Sequence, residues 1–144
     1  MNSSSDGISY TQQSLRLDIA RVQRAWKKYQ KTSGRDAVYK FLNEVLELLL
    51  IWQGDQKAGG RARRALFELG CESTENPEPF TALLIAAAHP KLIDARTLAK
   101  WSRVLRLAEA LKLPKTSLRR FIKKRGGINA CAARFTQYKK RHLQ

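Results

Sequence analysis

The spacing of the apolar residues constrains the fold of this chain more than any other feature, because it repeats with the period of an α-helix. The first such positions are Leu15, Ile19, Val22, Trp26 and Tyr29, in steps of 4, 3, 4 and 3. These steps place the side chains in one narrow stripe along a helix, and Ser33-Gly34 is a typical helix end. The stripe is only about two heptads long, so we expect it to pack within its own domain rather than to form a seam between two chains.

A second helix is predicted at 36–52, and it becomes apolar on nearly all sides over 45–52, where only Glu47 interrupts the apolar run. A helix of this kind is surrounded by other helices or by a partner subunit, so we expect it to form the centre of the core. Glu44 and Glu47 lie three residues apart on it, but no His or Asp accompanies them. Since Lys40 precedes Glu44 by four residues and can pair with it, we interpret the carboxylates as an ion-paired face rather than a catalytic pair.

The rest of the chain predicts a series of shorter helices. They are expected at about 60–69, 80–88, 95–112, 118–125 and 129–141, with Asp94 and either Thr116 or Ser117 as N-caps. The expected inward residues are Leu98, Trp101, Leu105, Ala108 and Leu111, then Leu118, Phe121 and Ile122, then Ala130, Ala133 and Tyr138. We therefore predict an all-α fold, a small helical bundle of about six or seven helices with a basic, helix-turn-helix-like C-terminal part.

Composition divides the chain into four parts. Residues 1–13 are polar without periodicity and are expected to be a flexible N-terminus. Residues 14–71 are expected to form an N-terminal helical core, with homodimerisation through its helices left open. Residues 72–79 are acidic, hold two prolines and predict an exposed loop. Residues 80–144 are the basic helical region, to which we assign nucleic-acid binding.

Charge is distributed unevenly along the chain. Residues 91–144 hold 16 of the 28 Lys and Arg but only two of the 12 acids, a net charge of +14, whereas residues 1–90 carry +2. After Glu109 there are 11 Lys and Arg and no Asp or Glu. A field of one sign on one part of a small protein attracts a polyanion, and the commonest cellular polyanion is nucleic acid.

The C-terminal order of helix, Gly126-Gly127 turn and helix has the coarse form of a helix-turn-helix. Asn129 lies at the start of the last helix, where recognition helices present base-reading side chains. A basic helical hairpin that contacts only phosphates fits the same pattern. The candidate nucleic-acid-binding residues are Arg96, Lys100, Arg103, Arg106, Lys115, Arg119, Arg120, Lys123, Lys124, Arg125, Asn129, Arg134, Gln137, Lys139, Lys140 and Arg141.

Two further partners compete with duplex DNA. RNA recognition of single strands generally uses exposed aromatic side chains for stacking. Trp101, Phe121 and Phe135 are expected to be buried, which leaves only Tyr10 and Tyr138 for stacking, so we rank duplex DNA above RNA. The other alternative is a protein-interaction module or inhibitor whose basic face covers an acidic partner protein, including a surface that itself normally binds nucleic acid.

Patterns typical of enzymes and metal sites are lacking in the sequence. There is no Ser-His-Asp or Cys-His grouping and no P-loop. A phosphate contact at 59–64 is left open, but we favour an ordinary loop followed by a solvated helix face. His89 and His142 lie at no ligand spacing from Cys71 and Cys131, which we expect to be reduced thiols. The expectation is a non-enzymatic cytoplasmic protein without cofactor, metal or membrane partner, since no apolar run approaches the roughly 20 residues that cross a bilayer.

Overall fold

The computed structural model describes residues 9–32, 34–71 and 77–142. In these ranges the chain forms seven α-helices and no strand. They are α1 (Gln12–Lys31), α2 (Arg35–Gly54), α3 (Ala58–Glu68), α4 (Pro79–Ala88), α5 (Ala95–Leu111), α6 (Leu118–Lys124) and α7 (Ile128–His142). The predicted all-α bundle is confirmed, and the seven helices occupy nearly the positions that the apolar spacing indicated. The predicted flexible segment 1–13 lies largely outside the described residues, although its last two residues belong to α1.

Four helices are preceded by a residue whose side chain accepts a hydrogen bond from a backbone N–H of the first turn. These N-caps are Thr11, Glu78, Asp94 and Ser117, so both predicted caps are confirmed. Pro79 is the first residue of α4, where its fixed φ suits a helix start. The predicted loop at 72–79 was therefore one residue too long at this end, and 72–76 lie outside the described residues.

The apolar stripe of α1 packs inside the chain itself. Leu15, Ile19 and Val22 are buried, while Trp26 and Tyr29 are half-buried against the core. The helix packs chiefly on α2 and α4. The stripe is thus occupied by the protein's own helices and is not free to form a seam with a second copy.

The centre of the bundle is α2, which contacts α1, α3, α4, α5 and α6. Val45, Leu49 and Trp52 are fully buried, but Leu50 and Ile51 remain 40% and 53% exposed. The expectation that 45–52 is surrounded on all sides was therefore wrong for two residues. They lie on the side of α2 that its five neighbouring helices leave open.

An ion-pair cluster joins α1 to α2. The Arg21 guanidinium donates from Nε to Glu44 at 2.7 Å and from a terminal nitrogen to Glu47 at 3.0 Å. The two carboxylates are ion-paired, but the cation is Arg21 rather than Lys40. A sequence spacing of four identifies only partners on the same helix, whereas this partner comes from the neighbouring one.

Two predicted inward faces needed correction. On α5, Leu111 is 42% exposed, and Val104 and Leu107 are buried instead. On α7 the buried residues are Cys131, Ala132 and Phe135, while Ala133 is exposed and Ala130 half-buried. Phe135 is the largest apolar side chain of α7, and its burial decides which side of the helix faces the core.

Candidate nucleic-acid interface

We call residues 91–144, with a net charge of +14, the basic segment. Its described part, 91–142, holds three helices that pack against different parts of the bundle. The buried face of α5 holds Trp101, Val104 and Leu105, and α5 packs chiefly against α7. By contrast α6 buries Leu118, Phe121 and Ile122 and packs chiefly against α2. Because α6 and α7 contact each other only sparingly, their relative orientation is fixed by α5, α2 and the turn that joins them.

That turn is a Schellman motif, which closes the C-terminus of α6 with two backbone hydrogen bonds. The Gly127 N–H donates to the Ile122 carbonyl at 3.1 Å, and the Gly126 N–H donates to the Lys123 carbonyl at 3.1 Å. Gly126 and Gly127 have φ of 97° and 106°, a region that favours glycine. A Cβ at Gly126 would also lie 3.2 Å from the Cβ of Ala130. The two glycines thus set the path of the chain into α7.

The solvent side of α7 carries a polar stripe opposite its buried residues. Asn129, Ala133, Thr136, Gln137 and Lys140 are all exposed, and their spacing places them on one face of the helix. Arg134 and Arg141 lie on one flank of this stripe and Lys139 lies on the other. The stripe itself is mainly uncharged, with amide and hydroxyl groups that can both donate and accept hydrogen bonds.

Most of the sixteen sequence-predicted residues lie at the surface. Thirteen are exposed, namely Arg96, Arg103, Lys115, Arg119, Arg120, Lys123, Lys124, Asn129, Arg134, Gln137, Lys139, Lys140 and Arg141. The other three, Lys100, Arg106 and Arg125, are half-buried. The structure therefore spreads the predicted set over the outer sides of α5, α6 and α7 and the loop between α5 and α6, which carries Lys115, rather than gathering it in one pocket.

Two of the half-buried arginines are held by aromatic rings inside the bundle. The Arg106 guanidinium lies 4.7 Å from the centre of the Phe135 ring and 3.9 Å from a Glu78 carboxylate oxygen. The Arg125 guanidinium lies 3.7 Å from the centre of the Phe121 ring and donates to the Phe121 carbonyl at 3.1 Å. Both arginines stabilise the packing of α5, α6 and α7 and offer less to an external partner than the exposed cations.

Acidic residues neutralise little of this surface. Among the described residues, Arg106 and Arg119 are the members of the predicted set that form ion pairs. Asp94 caps α5, and the hydrogen bond from the Thr97 N–H holds the pKa of its carboxyl below the ordinary value. Glu109 accepts a hydrogen bond from Gln53 on α2. Neither of the two acids in the basic segment pairs with an exposed Lys or Arg of α6 or α7.

The aromatic side chains are largely committed to the fold. Trp101, Phe121 and Phe135 are buried, as predicted. Tyr10 is not free. The central carbon of the Arg61 guanidinium lies 3.6 Å from the centre of the Tyr10 ring, and the Tyr10 hydroxyl donates to the Asp18 carboxylate at 2.7 Å. Burial, with the bond to Asp18 adding to it, raises the pKa of Tyr10 well above its ordinary value. The prediction that Tyr10 is free to stack on a base was wrong, because α3 supplies a cation that covers its ring.

Tyr138 is the remaining stacking candidate, and it too is partly used. It is half-buried, and its ring stacks on His142 with the centres 4.3 Å apart. Phe135 stacks on it as well, at 6.3 Å. The outer sides of α5, α6 and α7 therefore offer a single-stranded nucleic acid little aromatic area, and the exposed ring of Phe67, on α3, lies outside them.

Burial makes both cysteine thiols weaker acids. Cys131 is buried, which raises its pKa to about 11, and burial also raises the pKa of Cys71. In the ranges that the structure describes, no three His, Cys, Asp or Glu side chains form a group that could hold a metal ion. No helix in those ranges is both long and apolar enough to cross a membrane.

Sequence reasoning did not connect the N-terminal cations with the basic segment. Arg24 and Lys28 of α1 and Lys40 of α2 line one cleft together with Lys123 of α6. The spacing of Arg24 and Lys28 is a signal that they share a face of α1. Their meeting with Lys123 depends on how α6 docks on α2, which local spacing does not contain.

Comparison with protein-family models, with curated proteins and with solved structures found no match.

Proposed function

We propose that the protein is a non-enzymatic DNA-binding protein, a regulator or accessory factor, that docks the outer sides of α5, α6 and α7 on duplex DNA. The observation that carries the proposal is the fixed, predominantly basic surface of these helices. Eleven of the predicted residues are exposed Lys or Arg, and Arg119 is the one among them that forms an ion pair within the described residues. Cations held at fixed spacing, with few acids near them, fit the regular phosphates of a duplex.

The outer face of α7 suits the role of a reading helix. Asn and Gln amides can bind adenine edges in the major groove through two hydrogen bonds, and Thr contacts bases in several ways. Asn129, Thr136 and Gln137 form such a stripe, and Arg134 and Lys140 accompany it. In this proposal the polar stripe contacts base edges, and the cations of α6 contact phosphates and fix the register. The order α6, glycine turn, α7 supports a helix-turn-helix mode of docking.

Duplex DNA is favoured over RNA by the aromatic residues. Proteins that bind single strands stack bases on exposed rings, and here three of the rings in the basic segment are buried and Tyr138 is half-covered. An acidic protein surface remains the alternative partner of the same cations. A partner that is retained after nuclease treatment would favour that alternative over DNA.

A homodimer is a further part of the proposal, since many duplex readers bind two half-sites. The α1 stripe is occupied, so the interface would use the exposed apolar residues of the N-terminal helices. These are Leu17 on α1, Leu50 and Ile51 on α2, and Phe67 on α3, which are 63%, 40%, 53% and 83% exposed. Mass measurement of the free protein and of the DNA complex tests this part.

The experiment that tests the function compares two double variants on a panel of duplexes selected from a random pool. Lys123→Ala/Lys124→Ala should weaken binding to all sequences about equally, because it removes phosphate contacts. Asn129→Ala/Gln137→Ala should change the ranking of sequences, because it removes base contacts. The matched control is Arg63→Ala/Arg64→Ala, which removes the same charge as the lysine variant from exposed positions on α3.

The outcomes separate three accounts. Equal weakening by both test variants, with no change in ranking, would mean that the protein binds only the DNA backbone. A lysine variant that binds no worse than the α3 control would contradict the proposed surface. Competition between duplex DNA and RNA for one labelled duplex decides the class of nucleic acid.

A further inference from the structure

A cleft lies between the second half of α1 and the first half of α2, and α6 borders it. Its volume is about 980 Å³. This is within the range of sites that hold small organic molecules, roughly 300–1,000 Å³. The residues that line it fall into two groups, apolar and basic. These groups together suggest the chemistry of an occupant.

The apolar group belongs to the aromatic part of the core. The lining includes Ala25, Tyr29, Ala37 and Phe41. Tyr29 and Phe41 stack with ring centres 5.9 Å apart and planes inclined by 11°. Behind them, Trp26 and Trp101 lie 5.3 Å and 5.8 Å from the Phe41 ring. Because these rings are packed against one another, the apolar lining is pre-organised for a flat apolar or aromatic group.

The basic group comes from three helices. Arg24 and Lys28 of α1, Lys40 of α2 and Lys123 of α6 line the cleft, and none of them forms an ion pair with a described residue. The two carboxylates in the lining are already engaged, Glu44 by Arg21 and Asp36 by Arg119. The cleft therefore has an excess of positive charge that an anion can neutralise.

We propose that this cleft binds a small organic anion with a flat apolar or aromatic body. The ring lies against the half-buried Ala25 and Tyr29, with the buried Phe41 behind them. The acid group, a carboxylate, sulfonate or phosphate, lies among the four cations. A small molecule is favoured over a DNA segment because the apolar lining is recessed between helices. A duplex presents phosphates on a convex surface and would leave that lining uncovered. The site shares Lys123 with the proposed DNA-binding surface, but its apolar lining and its other three cations lie outside that surface.

The test uses two fluorescent probes of similar shape and different charge. One is the anion 8-anilinonaphthalene-1-sulfonate, and the other is the neutral N-phenyl-1-naphthylamine. Trp26 and Trp101 lie beside the apolar lining, so energy transfer from indole to the probe reports binding near this cleft. We expect saturable binding of one anionic probe per chain at submillimolar concentration, and weaker binding of the neutral probe.

Charge-reversal variants supply the decisive comparison. Lys28→Glu/Lys40→Glu should weaken binding of the sulfonate by about tenfold or more, since it reverses two charges beside the anion. Binding of the neutral probe should change little. The matched control is Lys27→Glu/Lys31→Glu, which makes the same charge change at exposed α1 positions that do not line the cleft. Cooperative urea unfolding of each variant verifies that it is folded.

A second variant tests the apolar lining. Ala25→Met adds volume inside the cleft and should weaken binding of both probes. The proposal is overturned if the wild-type protein does not bind the sulfonate probe at submillimolar concentration. It is also overturned if the two charge-reversal variants bind that probe equally well, or if Ala25→Met leaves both affinities unchanged.

Discussion

Arg119 of α6 donates from Nε to the Asp36 carboxylate of α2 at 3.1 Å, so one ion pair ties the basic segment to the N-terminal helices. This hydrogen bond holds the pKa of Asp36 below the ordinary value for Asp. Both side chains are exposed, and such pairs stabilise a fold only slightly. Its larger consequence is that Arg119 has an intramolecular anion with which a DNA phosphate must compete.

Asp36→Asn should therefore strengthen DNA binding. The substitution frees Arg119 for a phosphate, so the log-log salt slope should become steeper by about 0.9. Asp55→Asn, which removes the exposed partner of Arg61, is the matched control and should leave the slope unchanged. Fluorescence anisotropy of a labelled duplex across a salt series measures both. A slope unchanged by Asp36→Asn would place Arg119 outside the interface.

The same ion pair predicts the direction of one pH effect. Because the pKa of Asp36 is lower in the folded than in the unfolded chain, its contribution to stability is present above the unfolded pKa and is lost as pH falls through the folded pKa. Asp36→Asn should remove this part of the acid sensitivity. Urea unfolding at neutral and acidic pH checks it, and an acid-induced loss of stability as large in Asp36→Asn as in the wild type would contradict it.

Gly126→Ala should destabilise the protein by about 1–2 kcal/mol, because φ of 97° is unfavourable for an L-residue and the new Cβ would crowd Ala130. Gly60→Ala is the matched control. Gly60 lies inside α3, where an added Cβ would meet no atom within 4 Å apart from its own stretch of helix backbone, so alanine there should stabilise by about 0.5–1 kcal/mol. Urea midpoints measure both, and changes of the same sign at the two positions would contradict the account of the turn.

Asp18 accepts hydrogen bonds from two aromatic donors. The Trp52 indole N–H donates to it at 3.0 Å and the Tyr10 hydroxyl at 2.7 Å. Asp18→Ala leaves the fully buried Trp52 without this acceptor and should cost about 1–3 kcal/mol. Asp18→Asn keeps one acceptor oxygen and should cost less. Equal unfolding free energies for the two variants would mean that these hydrogen bonds add little to stability.

Lys123 and Lys124 are adjacent on α6, but only Lys123 lines the cleft. We expect Lys123→Ala and Lys124→Ala to weaken DNA binding by similar factors. Only Lys123→Ala should weaken binding of 8-anilinonaphthalene-1-sulfonate. Parallel titrations with duplex and with the probe check this, and the two proposals fail separately. Loss of probe binding in Lys124→Ala would contradict the boundary of the cleft.

The sequence predicted helix positions well and helix orientation less well. Caps and breakers such as Asp94, Ser117 and Gly126 act over a few residues, so local reading found them. The inward face of α7 was misassigned, because it is decided by the docking of Phe135 against α5, a long-range contact. The covering of Tyr10 by Arg61 and the pairing of Arg21 with Glu44 also join separate helices, and for the same reason spacing did not predict them.

The most direct test of the central claim is the salt dependence of duplex binding by the wild-type protein. If roughly six exposed cations contact phosphate, affinity should fall by about a thousandfold between 50 and 200 mM salt. A gel mobility-shift or anisotropy titration gives this number. Steep, linear log-log weakening is the expected result. Absence of binding at the lower salt concentration, or binding that does not change with salt, would contradict the account.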